Sequence, residues 1–165
     1  MKNWLLKRVT IGLLALTAVF TVAASVALAD GNGAQSSTQV DKNVTQGPSP
    51  AGNPCTGVPG NLTVTFNDIF HVTISDTHSG FNGTVTGSAL FVPDDPSQPT
   101  YTGHFTNVLA GFPNEDNLQS ATAHFSSDIE ALGSDGSHLK FHGNGHVTLD
   151  ANGVVTVSFE NFFCG

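Results

Sequence analysis

Arginine is absent from this chain beyond residue 8. Three of its five basic residues, Lys2, Lys7 and Arg8, sit at the N-terminus, which leaves Lys42 and Lys140 for the remainder. All 13 acidic residues lie beyond residue 29, so two lysines set against them give that part a formal charge of −11. A nucleic-acid binder neutralises phosphates with Lys and Arg, and this chain has almost none to offer. The same lack excludes anionic membrane surfaces and bidentate capture of phosphate or carboxylate. The only tryptophan is Trp4, and Tyr101 is the only tyrosine. Sticky binding faces draw on those amphipathic rings, so a carbohydrate-binding module is disfavoured. No glycine-rich phosphate loop leads into a helix, no G-x-S-x-G elbow is present, and nothing calls for a cofactor.

Cysteine is nearly as scarce: Cys55 and Cys164 are the only two. Their context is set by the N-terminus, where Lys2, Lys7 and Arg8 precede an uncharged stretch, Val9 to Ala29, ending in the small-x-small run Ala27-Leu28-Ala29. This is the pattern of a secretory signal peptide, residues 1–29, cleaved after Ala29, weighed against an uncleaved transmembrane anchor, for which the stretch is also long enough. The expected product is secreted, and in an exported chain two cysteines are expected to pair as one disulfide, the alternative being a metal pair or a catalytic thiol.

Residues 30–53 are polar and rich in Gly, Ser and Pro, without periodicity, and are expected to form a flexible linker. The remainder, 54–165, reads as a single antiparallel β domain. Its period is two throughout. Leu62, Val64, Phe66, Phe70, Val72 and Ile74 alternate with polar residues, and the same alternation returns five more times, through Phe81–Phe91, Tyr101–Leu109, Ala121–Ala131, Leu139–Leu149 and Val155–Phe163. Asp68 breaks the apolar series and predicts a bulge that turns it outward. No stretch has a helical period, so the class is all-β.

One apolar face per strand, with no helix to cover it, leaves a sandwich or a barrel. Two features favour an up-and-down meander of six to eight strands closed into a small barrel. Glycines inside strands (83, 87, 103, 143 and 145) allow sharp curvature. Cys55 stands just before the first apolar strand and Cys164 at the end of the last. Joining them sets those strands side by side.

The chemistry offered is thin. His138, His142 and His146 suggest a metal motif, but on a strand residues four apart are separated by about 13 Å, too far for one ion. Hairpin register matters more. The turn after Leu132 places Leu132 opposite His138, hence Glu130 opposite Lys140, Asp128 opposite His142, and His124 opposite His146. His124, His146, Asp128 and His142 are therefore the candidate metal or proton-relay set, weighed against a plain solvated face. The turn at Asp150–Gly153 places Asp150 opposite Val154, His146 opposite Ser158 and Gly145 opposite Phe159. The acidic loops 93–96 and 114–117 lack the spacing of a calcium loop.

The opening Asn53–Gly57 (NPCTG), Phe70–Ile74 (FHVTI) and the closing His146–Gly165 resemble a group of small secreted bacterial β-rich proteins with paired terminal cysteines. The resemblance covers residues 53–165 and is weakest between Pro93 and Gln119. It implies export and one β domain, and carries over no activity and no catalytic residue.

The function expected from these features is a non-enzymatic secreted barrel holding a small apolar ligand among Phe66, Phe105, Phe125, Phe141 and Phe159. One alternative is a surface or structural interaction domain. Another is a barrel isomerase or cyclase, for which Asp68 and Asn107 are the visible polar groups on the apolar side.

Overall fold

The computed structural model describes residues 34–75, 79–113, 121–150, 152 and 154–165. The expected signal peptide, His78 and the acidic loop at 114–117 lie outside the described residues. All described elements are strands: β1 (Gln35–Gly52), β2 (Pro59–Ile74), β3 (Ser79–Pro93), β4 (Tyr101–Pro113), β5 (Ala121–Gly133), β6 (His138–Leu149) and β7 (Val155–Cys164). They form one antiparallel sheet in chain order, β1 to β7. The six strands expected from alternation are β2 to β7, and no second sheet faces them among the described residues.

β1 corrects the reading of residues 30–53 as a flexible linker. Residues 35–52 pair with β2 along nearly its whole length. The missed feature is a run of Ser, Thr, Gln and Val with strand propensity and almost no apolar face. Polar contacts secure it: Thr38 to His71 at 2.8 Å, Thr45 to Thr65 at 3.0 Å, and the Asn43 amide donating to Asn67 Oδ1 at 2.9 Å. Register shifts at Asp41/Val44 and Gln46/Ser49 accommodate Asn43 and Gly47, both at positive φ. Pro48 and Pro50 are tolerated because β1 is an edge strand.

The sheet is not closed into a barrel. β1 takes the edge of β2 against which β7 was expected to close, and β1 and β7, the two edges, are not paired with each other. The disulfide, by contrast, is formed: Cys55 and Cys164 are bonded with their Cα atoms 5.6 Å apart. β2 and β7 are five strand spacings apart in the sheet order, about 24 Å if the sheet were flat. The bond therefore requires the sheet to curl. Cys164 lies in the same cross-strand row as Phe66 and Phe141, so the phenylalanine face is the concave one. Asn53, which is buried, shapes the loop that presents Cys55. Its Oδ1 accepts from the Cys55 and Thr56 amides at 3.0 and 3.1 Å, and its backbone bonds Val58 and Gly57.

Aspartates set three of the turns. Asp95 accepts from Ser97, Asp135 from Ser137, and Asp150 from the Asn152 and Val154 amides. Donation to the charged form lowers all three carboxyl pKa values, chiefly through the Ser97 amide, the Ser137 hydroxyl and the Val154 amide respectively.

Two outcomes are expected. Removing the bridge with the pair Cys55→Ser and Cys164→Ser opens a loop of sequence separation 109. On a chain-entropy account it lowers unfolding free energy by about 4–5 kcal/mol, measured by urea denaturation; a loss under about 1 kcal/mol would contradict the clasp. For Asp150, a folded pKa below its unfolded value means that its stabilisation is complete above the unfolded value and is lost as pH falls through the folded one. The Tm gap between wild type and Asp150→Ala is thus present at about pH 7 and closed at about pH 2. A gap of equal size at both would show that the carboxylate charge is not what matters.

Candidate functional site

Because successive side chains on a strand alternate, each cross-strand row belongs to one face. Three rows make up the middle of the concave face. The first is Phe66, Gly87, Phe105, Ile129, Phe141 and Cys164. The second is Asp68, Val85, Asn107, Ser127, Gly143 and Phe162. The third is Phe70, Gly83, Leu109, Phe125, Gly145 and Glu160. A polar row thus crosses the sheet between two aromatic ones.

Glycines stand directly opposite the rings. Gly87 lies between Phe66 and Phe105, and Gly145 is covered by the ring of Phe125, which stands where a Cβ would be. Rings that lie flat over glycines keep the concave surface shallow enough for the sheet to curl. The face is not packed shut. Phe66 is 4% exposed, but the only other buried apolar side chains among the described residues are Phe91 and Leu139. Phe70, Phe81, Phe105, Phe125 and Phe141 are half-buried.

Four of the five expected lining rings, Phe66, Phe105, Phe125 and Phe141, share this face. Phe159 does not. Asp150 does pair with Val154 at the turn, its amide donating to the Val154 carbonyl at 2.8 Å. A register shift follows at once: Leu149 pairs Val155, whereas Thr148 pairs Val157, so Thr156 is an extra residue. One added residue turns the rest of the strand over. His146 therefore faces Phe159 rather than Ser158, and Gly145 faces Glu160 rather than Phe159. Phe159 is on the outer face and 51% exposed. Glu160 and Phe162 take inner positions that plain alternation had assigned to the outside and to no role. Phe70 and Phe81 were legible as inner residues from their spacing.

Asp68 is a second correction. The irregularity that its presence foretold is on β1, not β2. Asp68 keeps its inward position and accepts from the Asp41 amide at 3.1 Å. Asn107, in the same row, has a buried Oδ1 without a hydrogen-bond partner.

On the outer face the β5–β6 register is as expected. Glu130 and Lys140 form an exposed ion pair at 3.2 Å, and His142 Nδ1 lies 2.6 Å from Asp128 Oδ1. His124 and His146 meet through their Nδ1 atoms at 3.0 Å, and His146 Nε2 lies 3.0 Å from the Thr148 hydroxyl. The four candidate metal residues are thus brought together as two pairs, with the Ser126–Asn144 position between them. No group of three His, Cys, Asp or Glu among the described residues is placed to hold an ion. Each pair offers two partners, enough for an exposed charge-assisted contact and short of a metal centre. Of the first acidic loop, Asp94 accepts from Asn61 and Asp95 from Ser97, so both carboxylates are occupied in turn structure. A shallow hollow of about 330 Å³ lies over Thr102, His104, Glu130, His138 and Lys140, away from the phenylalanines.

Compared with known protein families, curated proteins and solved structures, the chain matches none.

The orphan on β4 gives a direct test. An unpaired buried carbonyl costs free energy that an apolar side chain of similar size does not. Asn107→Leu is expected to leave unfolding free energy unchanged or higher by up to about 1 kcal/mol in urea titration. A loss above about 2 kcal/mol would mean that the amide is satisfied in the folded protein.

Proposed function

We propose that this chain is a secreted, non-enzymatic β domain that holds a small, largely apolar molecule against its concave face, in a barrel-like interior. The observation that carries the reading is the half-buried state of Phe70, Phe81, Phe105, Phe125 and Phe141 on the face that the disulfide curls inward. Apolar rings gathered on a concave surface and left partly in water form the usual wall of a small-molecule site, and polar groups within it orient the guest. Here those groups are Asp68, Asn107 and Ser127. Export is supported by the disulfide, by the N-terminal pattern read above and by the resemblance at the two ends of the domain to small secreted β proteins. No helix of the described residues is long and apolar enough to cross a membrane.

An isomerase or cyclase built on Asp68 and Asn107 is the second reading, favoured by the single unpartnered Oδ1 of Asn107. In the row order Val85 separates the two residues, about 10 Å across two strand spacings, so they do not form one acid–base pair.

The test uses N-phenyl-1-naphthylamine, a neutral apolar fluorophore. Binding with blue-shifted emission is expected, weakened about tenfold or more by Phe105→Ala and unchanged by Ile69→Ala, which removes an exposed outer side chain. Equal loss in both variants, or no binding to wild type, would refute the concave site. Native mass spectrometry of the exported protein would then weigh whatever guest it carries.

A further inference from the structure

The two edges of this sheet are built differently. β1 carries two register shifts, Pro48, Pro50 and the charged pair Asp41 and Lys42. These are the devices by which β proteins keep an edge from pairing with another chain. β7 has no proline, no lysine and one charge, Glu160, which points to the concave side.

β7 is also bare. Nine of its ten residues are exposed. On the outer face Val157, Phe159 and Phe163 are 49%, 51% and 61% exposed, and Phe162 on the inner face is 49% exposed. It is not a frayed end. Gly165 exchanges both backbone hydrogen bonds with Lys140, Cys164 is fixed by the disulfide, Phe159 stacks on His146 with ring centroids 5.7 Å apart, and Phe163 lies tilted beside His142 at 6.4 Å. The strand is therefore held ready, with its outward amides and carbonyls in line.

We propose that β7 is an interface between two copies of this chain, paired antiparallel, edge to edge, about a twofold axis. A partner with the same strand meets three conditions. Such a contact is self-complementary and closes at two. Like-charge repulsion across the contact is small, because β7 carries a single charge, Glu160, in a chain whose other acids would hold copies apart elsewhere. And the area reaches what a weak, reversible dimer needs. A phenylalanine offers about 150–250 Å², so three half-exposed rings with Val155 and Val157 expose on the order of 500 Å² per copy, about 1,000 Å² in the pair when all of it is covered, the threshold for a biological interface. Register is constrained too. Centring the axis on Glu160 would set like charges opposite each other. Centring it on Phe159 stacks that ring on its copy, and centring it on Asn161 sets Phe159 opposite the copy's Phe163 twice.

The experiment is light scattering on a sizing column with the exported, disulfide-intact protein, from about 1 to 100 μM. A dimer within that range is expected for wild type. The double variant Phe159→Lys and Phe163→Lys, whose folding is checked by circular dichroism and by an intact disulfide mass, is expected to be monomeric throughout, a loss of at least about a hundredfold in association. Val40→Lys, exposed on β1, is expected to dimerise as wild type does. Hydrogen exchange on wild type supplies a readout that needs no variant: β7 amides should gain protection as concentration rises. A wild type that stays monomeric at 100 μM, as when β7 pairs with β1 of its own chain, a dimer that survives the double variant, or one lost in Val40→Lys would overturn the proposal.

Discussion

One covalent bond decides the shape of this protein. A seven-stranded meander has no reason of its own to bring its second strand to its seventh. The Cys55–Cys164 bond ties the loop that leads into the second to the end of the seventh, and the sheet must bend to allow it. Bending divides the two faces. One becomes a concave surface on which Phe66 is buried, and the other a convex surface bearing the histidine pairs and the ion pair. The bond sits on the inner row, so curl and phenylalanine face are one geometric fact. The buried Asn53, which holds the Cys55 loop in shape, belongs to the same device.

The curled sheet is nevertheless poor in buried apolar side chains. Phe66, Phe91 and Leu139 are the buried apolar residues among those described, and the other inner rings remain partly in contact with water. Hydrophobic burial supplies most folding free energy, so a domain with so little of it depends on restricting the unfolded chain and on surfaces covered later. The disulfide provides the first. A guest on the concave face and a second copy along β7 would provide the second, and both would bury rings that the isolated chain leaves half exposed. The first rests on the concave face and the second on the β7 edge, and each has its own test.

Much of this was legible in the residues. Strict alternation located six strands, and the turn residues Ser134–Ser137 fixed the β5–β6 register closely enough to pair Asp128 with His142 and His124 with His146. Two things were hidden. The polar strand β1 has no apolar face to betray it, because an edge strand tied by Thr, Asn and His contacts does not need one. β1 takes the edge of β2 against which β7 was expected to close. The extra residue at Thr156 was hidden as well, since the turn itself pairs as alternation requires and the shift comes only after it. That single insertion moved Phe159 outward and Glu160 inward, and with them the composition of both faces.

The chain's scarcity of basic residues makes the central claim easy to test. Beyond residue 29 trypsin can cut only after Lys42 and Lys140, so the two cysteines fall in separate fragments, 43–140 and 141–165. Digestion of the protein without reduction, followed by mass spectrometry, should yield these two fragments as one linked mass that reduction splits in two. Free thiols on both fragments, or a mass joining two copies of the same fragment, would remove the bend and leave the phenylalanines on an open sheet.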